Sequence, residues 1–212
     1  MNKPLRTRER AKDKGRVFVI AGPSGSGKTT LAREVLRAKR LKARLNKSIS
    51  FTTRPKRSAE KEGKDYFFIT PRQFRQYNKD KKIIEYTRYL GYYYGTPRGF
   101  VEEKLRRGKN ILMCLDLRGV KAVKKLFPEN TVTIFVRAPS LEALGSRIEK
   151  RCCHTKALEV KKRLGLAKKE LQASRGFDYR ILNEVLPKAV GELKAIILKH
   201  IATWPGTVPA ER

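Results

Sequence analysis

Residues 15–39 read GRVFVIAGPSGSGKTTLAREVLRAK, and three signals meet in them. VFVIA, Val17 to Ala21, is an unbroken apolar run of strand length, as expected of a strand buried on both faces. GPSGSGKT, Gly22 to Thr29, satisfies G-x-x-x-x-G-K-[ST]. Leu31, Val35 and Leu36 then recur at helical spacing. A loop of this kind between strand and helix is a phosphate cradle. Its glycines let the backbone curl around phosphate oxygens, and the helix N-terminus adds N–H donors that lack intrahelical partners. In such a cradle Lys28 reaches the β- and γ-phosphates and Thr29 holds Mg²⁺. A plain Gly/Ser connector explains the glycines but not the lysine, the hydroxyl and the flanking elements. The stretch predicts a nucleoside-triphosphate site.

Strand and helix patterns continue to alternate downstream. NILMCLDL (110–117) and TVTIFVRA (131–138) read as strands. VEEKLRRG (101–108), LEALGSRIEKR (141–151), VKKRLGLAKKELQ (160–172) and VGELKAIILKHIA (190–202) read as helices. This alternation predicts an α/β fold of the P-loop NTPase type, an open parallel sheet covered by helices. Between Ser48 and Pro97 the character changes. SISFTT and DYFFI are short strand patterns separated by the charged turn AEKEGKD, PRQFRQYN is a short helix, and IIEYTRYLGYYYGT has exposed-strand chemistry. The expected organisation is a basic flexible arm over 1–15, a domain over 16–202 and a frayed tail over 203–212. Within the domain the core is 16–47 and 98–202, the inserted lobe 48–97, and a short lid lies at about 148–165.

The chain has 212 residues, enough for one well-filled core, and 40% of them are hydrophobic, which argues against global disorder. Its 51 Lys and Arg against 20 Asp and Glu give a formal charge of +31. Such a charge implies weak, nonspecific attraction to polyanions without specifying any of them. Three cysteines, two of them adjacent (Cys152 and Cys153), form neither a disulfide framework nor a metal knuckle, and suit a reducing, cytoplasmic setting. No stretch is apolar enough to span a membrane, and the first residues lack the apolar segment of a signal peptide.

The ordered set of GPSGSGKT, SISFTTRPKR, the EKEGKDYFF segment, IIEY, YYYGT, LDLRG, the arginines near Arg147 and FDYRILN resembles guanylate kinase. These are nucleoside-monophosphate kinases that move a phosphoryl group from ATP to GMP, and the similarity runs from about Arg16 to His200. The resemblance implies that Gly22, Pro23, Ser24, Gly25, Ser26, Gly27, Lys28, Thr29 and Thr30 bind ATP, with Asn183 a further contact on the adenine side. It implies that Arg54 and Arg57 grip the GMP phosphate, with Tyr66 and Tyr94 donating phenolic hydrogen bonds. Guanidinium forks match phosphate oxygens, and tyrosines complete a shell without adding net charge.

The matching glutamate is Glu85, in IIEY. Guanine presents N1–H and N2–H side by side, and one carboxylate can accept both, whereas adenine would set a lone pair against it. Ser50, Thr96 and Asp116 match positions of the guanine shell. Asp116 is also a candidate for holding Mg²⁺ through water beside Thr29, with a helix-capping or turn aspartate as the lesser alternative. Lys28, Arg147, Arg151 and Arg163 are the cations expected to stabilise the transferring group, the last three from the lid side. GMP or dGMP is the expected acceptor, with Mg²⁺ accompanying ATP, in a monomer or small homo-oligomer. The alternative is a non-catalytic module of the same fold that binds phosphorylated or acidic protein segments.

Three departures from the family pattern bear on this. Cys114 stands where an acidic residue is common, two positions from Asp116, and thiol is a poor substitute for a hard oxygen ligand near Mg²⁺. Ala59 stands at a usual glycine, which tests whether that turn needs positive φ. Cys152 and Cys153 replace a common glycine-containing turn.

Overall fold

The computed structural model describes residues 15–89, 91–151 and 157–203, without the side chains of 151, 157–159 and 162. The expected basic arm up to residue 14, the tail beyond 203, the middle of the lid and the Arg151 side chain lie outside the described residues.

β1 (Val17–Ala21) is the centre of a five-stranded, wholly parallel sheet in the order β2 (Leu45–Lys47), β7 (Asn110–Cys114), β1, β8 (Thr131–Arg137), β9 (Tyr179–Leu182). Every β1 side chain is fully buried. Alternation sends Phe18 and Ile20 to one face and Val17, Val19 and Ala21 to the other. The first face packs against α1 (Lys28–Arg37), α2 (Lys39–Lys42) and α8 (Leu186–Ala202) through Leu31, Val35, Leu41, Leu193 and Ile197. The second packs against α4 (Arg98–Arg106) and α5 (Leu117–Leu126) through Val101, Leu105, Val120 and Val123. Two covered faces explain the continuous apolar strands. At the sheet's carboxyl end, α6 (Leu141–Arg151) and α7 (Ala157–Ala173) pack on each other through Leu144 and Ala167.

Residues 50–97 build a second sheet in the order β4 (Tyr66–Phe68), β3 (Ser50–Thr52), β6 (Tyr92–Pro97), β5 (Ile83–Tyr89). One face carries Phe51, Phe67, Tyr86 and Tyr93 and is covered by α3 (Pro71–Lys79), whose Phe74 stacks on Tyr93 at 5.0 Å between ring centroids. Thr70 starts α3 with a reciprocal capping box to Gln73. Gly95 is required here, since a Cβ would meet Ile83 Cγ2 at 2.9 Å and Phe74 Cζ at 3.0 Å. Cross-strand register places Ser50 opposite Tyr66 and Thr52 opposite Tyr94, so the hydroxyl-bearing side chains share the other face.

Two boundaries differ from the sequence reading. NILMCLDL is strand only to Cys114, because Asp116 turns the chain and caps α5 by accepting from the Gly119 N–H at 2.8 Å. Leu45–Lys47 is an edge strand that no pattern announced. Only Leu45 of its three residues is buried, and its pairing with β7 is a tertiary event.

Candidate active site

The cradle is built by backbone geometry. Gly22 and Gly27 have φ of 143° and 90°, a region that side chains resist. A Cβ on Gly27 would lie 2.2 Å from Asn183 Nδ2. That amide donates to the Ser26 carbonyl at 2.8 Å, and Asn183 is 6% exposed. Asn183 is held in turn by its own N–H on the Arg137 carbonyl and by Arg147, whose guanidinium donates to the Asn183 carbonyl at 3.1 Å. A structural lock therefore runs from α6 through the end of β9 to the loop. Lys28 Nζ donates to the Gly22 and Pro23 carbonyls, the latter at 2.8 Å, which holds the ammonium across the loop mouth. The Ser26 hydroxyl is buried and has no hydrogen-bond partner among the described residues.

The loop forms one wall of a cavity of about 1030 Å³. Thr29, Cys114, Asp116, Arg147, Asn183 and Glu170 also line it, and Thr87 and Tyr89 of β5 stand on its far side. β5 alternation puts Glu85 on the same side as Thr87 and Tyr89.

The candidate second anion site is organised by contacts within the chain. Arg54 donates to Glu60 Oε1 at 2.6 Å, with side chains only 12% and 17% exposed. The same carboxylate accepts from the Arg57 backbone N–H at 2.9 Å. Glu60 makes Arg54 more basic still, with Tyr94 hydrogen bonding in the same direction. Glu60 is itself held below the ordinary carboxylate range, first by the Arg54 hydrogen bond. The Arg54 guanidinium lies 5.7 Å from the Tyr66 ring centroid, and Tyr66 meets Tyr94 edge-on at 5.9 Å. Desolvation pushes the Tyr66 phenol up, keeping it a protonated donor. Arg57 is exposed, yet its charge is felt at Tyr66.

Glu85 accepts a hydrogen bond from the Thr96 hydroxyl at 2.5 Å. Desolvation raises its pKa, the Thr96 bond opposes that rise, and the Asp116 charge adds to it. Its other oxygen lies close to α5: a Cβ on Gly119 would sit 3.3 Å from Glu85 Oε2. Glu85 thus spans from the small sheet to the α5 N-terminus, beside Asp116. Ser50, Tyr66 and Thr96 line an adjoining cavity of about 520 Å³ with Cys114.

Most of the sequence-predicted residues converge. The Gly22–Thr30 loop, Asp116, Arg147 and Asn183 gather at one cavity, and Ser50, Arg54, Tyr66, Glu85, Tyr94 and Thr96 share one sheet face. Arg163 does not line either cavity among the described residues. It lies on α7, seven residues before Glu170, which does. Glu170, Thr87 and Glu60 are site neighbours that the sequence motifs do not single out. The signal for Thr87 was its alternation with Glu85, and the signal for Glu170 was its two-turn spacing from Arg163.

Ala59 has no positive φ: among the described residues Lys81 is the non-glycine in that region. The turn therefore accepts alanine without strain. Cys114 opens to the cleft, but the protein around it desolvates the thiol and lifts it to about 11, so it is neutral at pH 7.

A parallel sheet with a glycine-rich loop after its first strand, and an inserted sheet whose β5 lines the same cavity as that loop, is the fold of the P-loop nucleoside-monophosphate kinases. The sequence model of the family "Guanylate kinase" matches residues 14–200. Guanylate kinase of Thermotoga maritima is 45% identical over 187 residues, 87% of this chain and 86% of that protein. Guanylate kinase of Oceanobacillus iheyensis is 39% identical over 186 residues, 88% of each. The crystal structure of guanylate kinase from Anaplasma phagocytophilum superposes with a TM-score of 0.68 at 30% identity, covering 89% of this chain and 87% of that one. The chain belongs to the guanylate kinase family, a family of nucleotide-binding phosphotransferases. Among the described residues no helix is long and apolar enough to cross a membrane.

Proposed function

We propose that the chain transfers the γ-phosphoryl group of ATP to GMP or dGMP, giving ADP and GDP or dGDP. One observation carries the reading. Glu85, Arg54 and the two tyrosines stand on a single sheet face, and β5 of that sheet shares a cavity with the Lys28 loop. Guanine donors would meet Glu85 with Ser50, Thr96 and Asp116 around them, while the acceptor phosphate would lie against Arg54, Arg57, Tyr66 and Tyr94.

The residues present fit Mg²⁺ accompanying the donor. Thr29 and Asp116 supply hard oxygens on the cavity wall, and glycines at positive φ let the loop backbone lie close against Val136, Leu144 and Asn183, which a Cβ would prevent. Bound there, Mg²⁺ would neutralise donor phosphate charge. The rest falls to the chain. Lys28 exchanges its loop carbonyls for phosphate oxygens. Arg54 and Arg57 hold the acceptor phosphate so that one oxygen faces the donor terminus. Arg147, with Arg151 and Arg163 from the lid side, adds positive charge where negative charge develops. No covalent intermediate is needed, and the rate gain comes from alignment and preorganised electrostatics.

Cys114 favours a second reading, a non-catalytic module of this fold, because it removes an acid from the cleft. Lys28, Arg54, Arg57 and Glu85, all present, favour the enzyme. A coupled assay with Mg²⁺-ATP and GMP, dGMP, AMP, CMP or UMP in turn separates them. Strong preference for GMP with dGMP accepted is expected, and no phosphorylation of any acceptor would leave the module reading.

A further inference from the structure

The cavity that the phosphate loop borders is also lined by three carboxylates, Asp116, Glu170 and Glu184. They are not equivalent. Asp116 spends Oδ1 on the α5 N-terminus. Glu184 is exposed. Glu170 is half-buried on α7 and lines the same cavity as Lys28 and Asp116; desolvation raises its pKa, Lys28 opposes the rise and Asp116 adds to it. The thiol at 114 adds no charge at neutral pH. An ionised carboxylate at this place on the cavity wall would lie beside the phosphate tail that Lys28 would hold.

We infer that Glu170 is a specificity residue of the donor site, penalising bare nucleoside triphosphate relative to triphosphate already neutralised by a divalent cation. The inference rests on the donor reading given above. A bare triphosphate carries about four negative charges and its Mg²⁺ complex about two, so repulsion from one carboxylate falls mainly on the bare form. Two extra charges at a generic separation of about 8 Å in a largely hydrated cleft correspond to about tenfold in affinity. The carboxylate thereby makes cation loading a condition of tight donor binding, a task that the neutral thiol at 114 does not perform.

The test is binding without turnover. A non-hydrolysable ATP analogue is titrated calorimetrically into wild type, Glu170→Gln and Glu170→Asp, each with Mg²⁺ and with EDTA, and thermal unfolding is recorded for all three. Wild type should bind the Mg²⁺ form far more tightly. Glu170→Gln should narrow that ratio about tenfold, chiefly by tightening the EDTA form, and Glu170→Asp should stay within about twofold of wild type. A merely structural glutamate would weaken both forms together in both variants, and that result overturns the inference. So does an unchanged ratio in Glu170→Gln, with the donor reading left intact. If wild type binds neither form, the donor reading falls and this inference with it. Should Glu170→Gln not fold, a Glu170→Asp ratio that departs from wild type by tenfold is the refuting result.

Discussion

Replacing Glu85 with glutamine changes one oxygen to an NH₂ group and removes one charge, leaving the shape of the side chain intact. The structure indicates which way each effect goes. In wild type the carboxylate is costly to keep ionised, because desolvation and the Asp116 charge push its pKa up and only the Thr96 hydroxyl works against them. On the proposed function it accepts two adjacent guanine donors. Glutamine can accept one and turns a donor toward the other. The loss of a charge-assisted hydrogen bond, about 1.5–3 kcal/mol, together with an unpaired buried donor at about 1–3 kcal/mol, totals about 2.5–6 kcal/mol. In kcat/KM for GMP that is a fall of roughly 10²- to 10³-fold or more. AMP, which gains nothing from the carboxylate, should change little, and the ATP requirement should stay within about twofold.

Stability should move the other way. A carboxyl whose folded-state pKa is raised contributes most below its unfolded pKa, and that contribution is lost as pH rises through the folded value. Glu85→Gln should therefore be at least as stable as wild type at pH 7–8 in the absence of nucleotide, the difference vanishing below about pH 4. The assay pairs ADP release with GMP and with AMP against thermal unfolding across pH. Equal losses for both acceptors in a folded variant, or a GMP loss under about fivefold, would refute the assignment of this carboxylate.

Arg57→Ala should raise the GMP KM by about 10- to 100-fold while the ATP KM stays within about twofold; an effect confined to ATP would interchange the two anion sites. Gly27→Ala places a methyl group against Asn183 and strains a left-handed backbone, so unfolding in denaturant should show a loss of about 2–4 kcal/mol together with weakened donor binding. An unchanged midpoint would mean that the Asn183 lock is dispensable. Cys114, though open to the cleft, should alkylate about 100-fold more slowly than an ordinary thiol at pH 7.5, since its thiolate forms only near 11. Peptide-resolved iodoacetamide labelling at the rate of free glutathione would contradict that.

What the linear chain determined by itself was whatever is written in contiguous residues. The strand, glycine loop and helix of 15–39 are local, so their geometry follows from φ preferences, apolar runs and helix spacing. Arg54, Arg57 and Glu85 could be picked out as candidates because their chemistry suits an anion and a purine edge and their order matches a family. Tertiary structure alone decided how these pieces meet. Glu60 lies six residues from Arg54, yet its role depends on a turn that folds it back onto both arginines. Asn183 reaches the loop across 157 positions, and only the parallel register of β9 on β8 brings it there. Asp116 and Glu170 join the cleft through a helix cap and a packed helix pair, since burial and long-range pairing, which no local spacing encodes, set which charges share one dielectric.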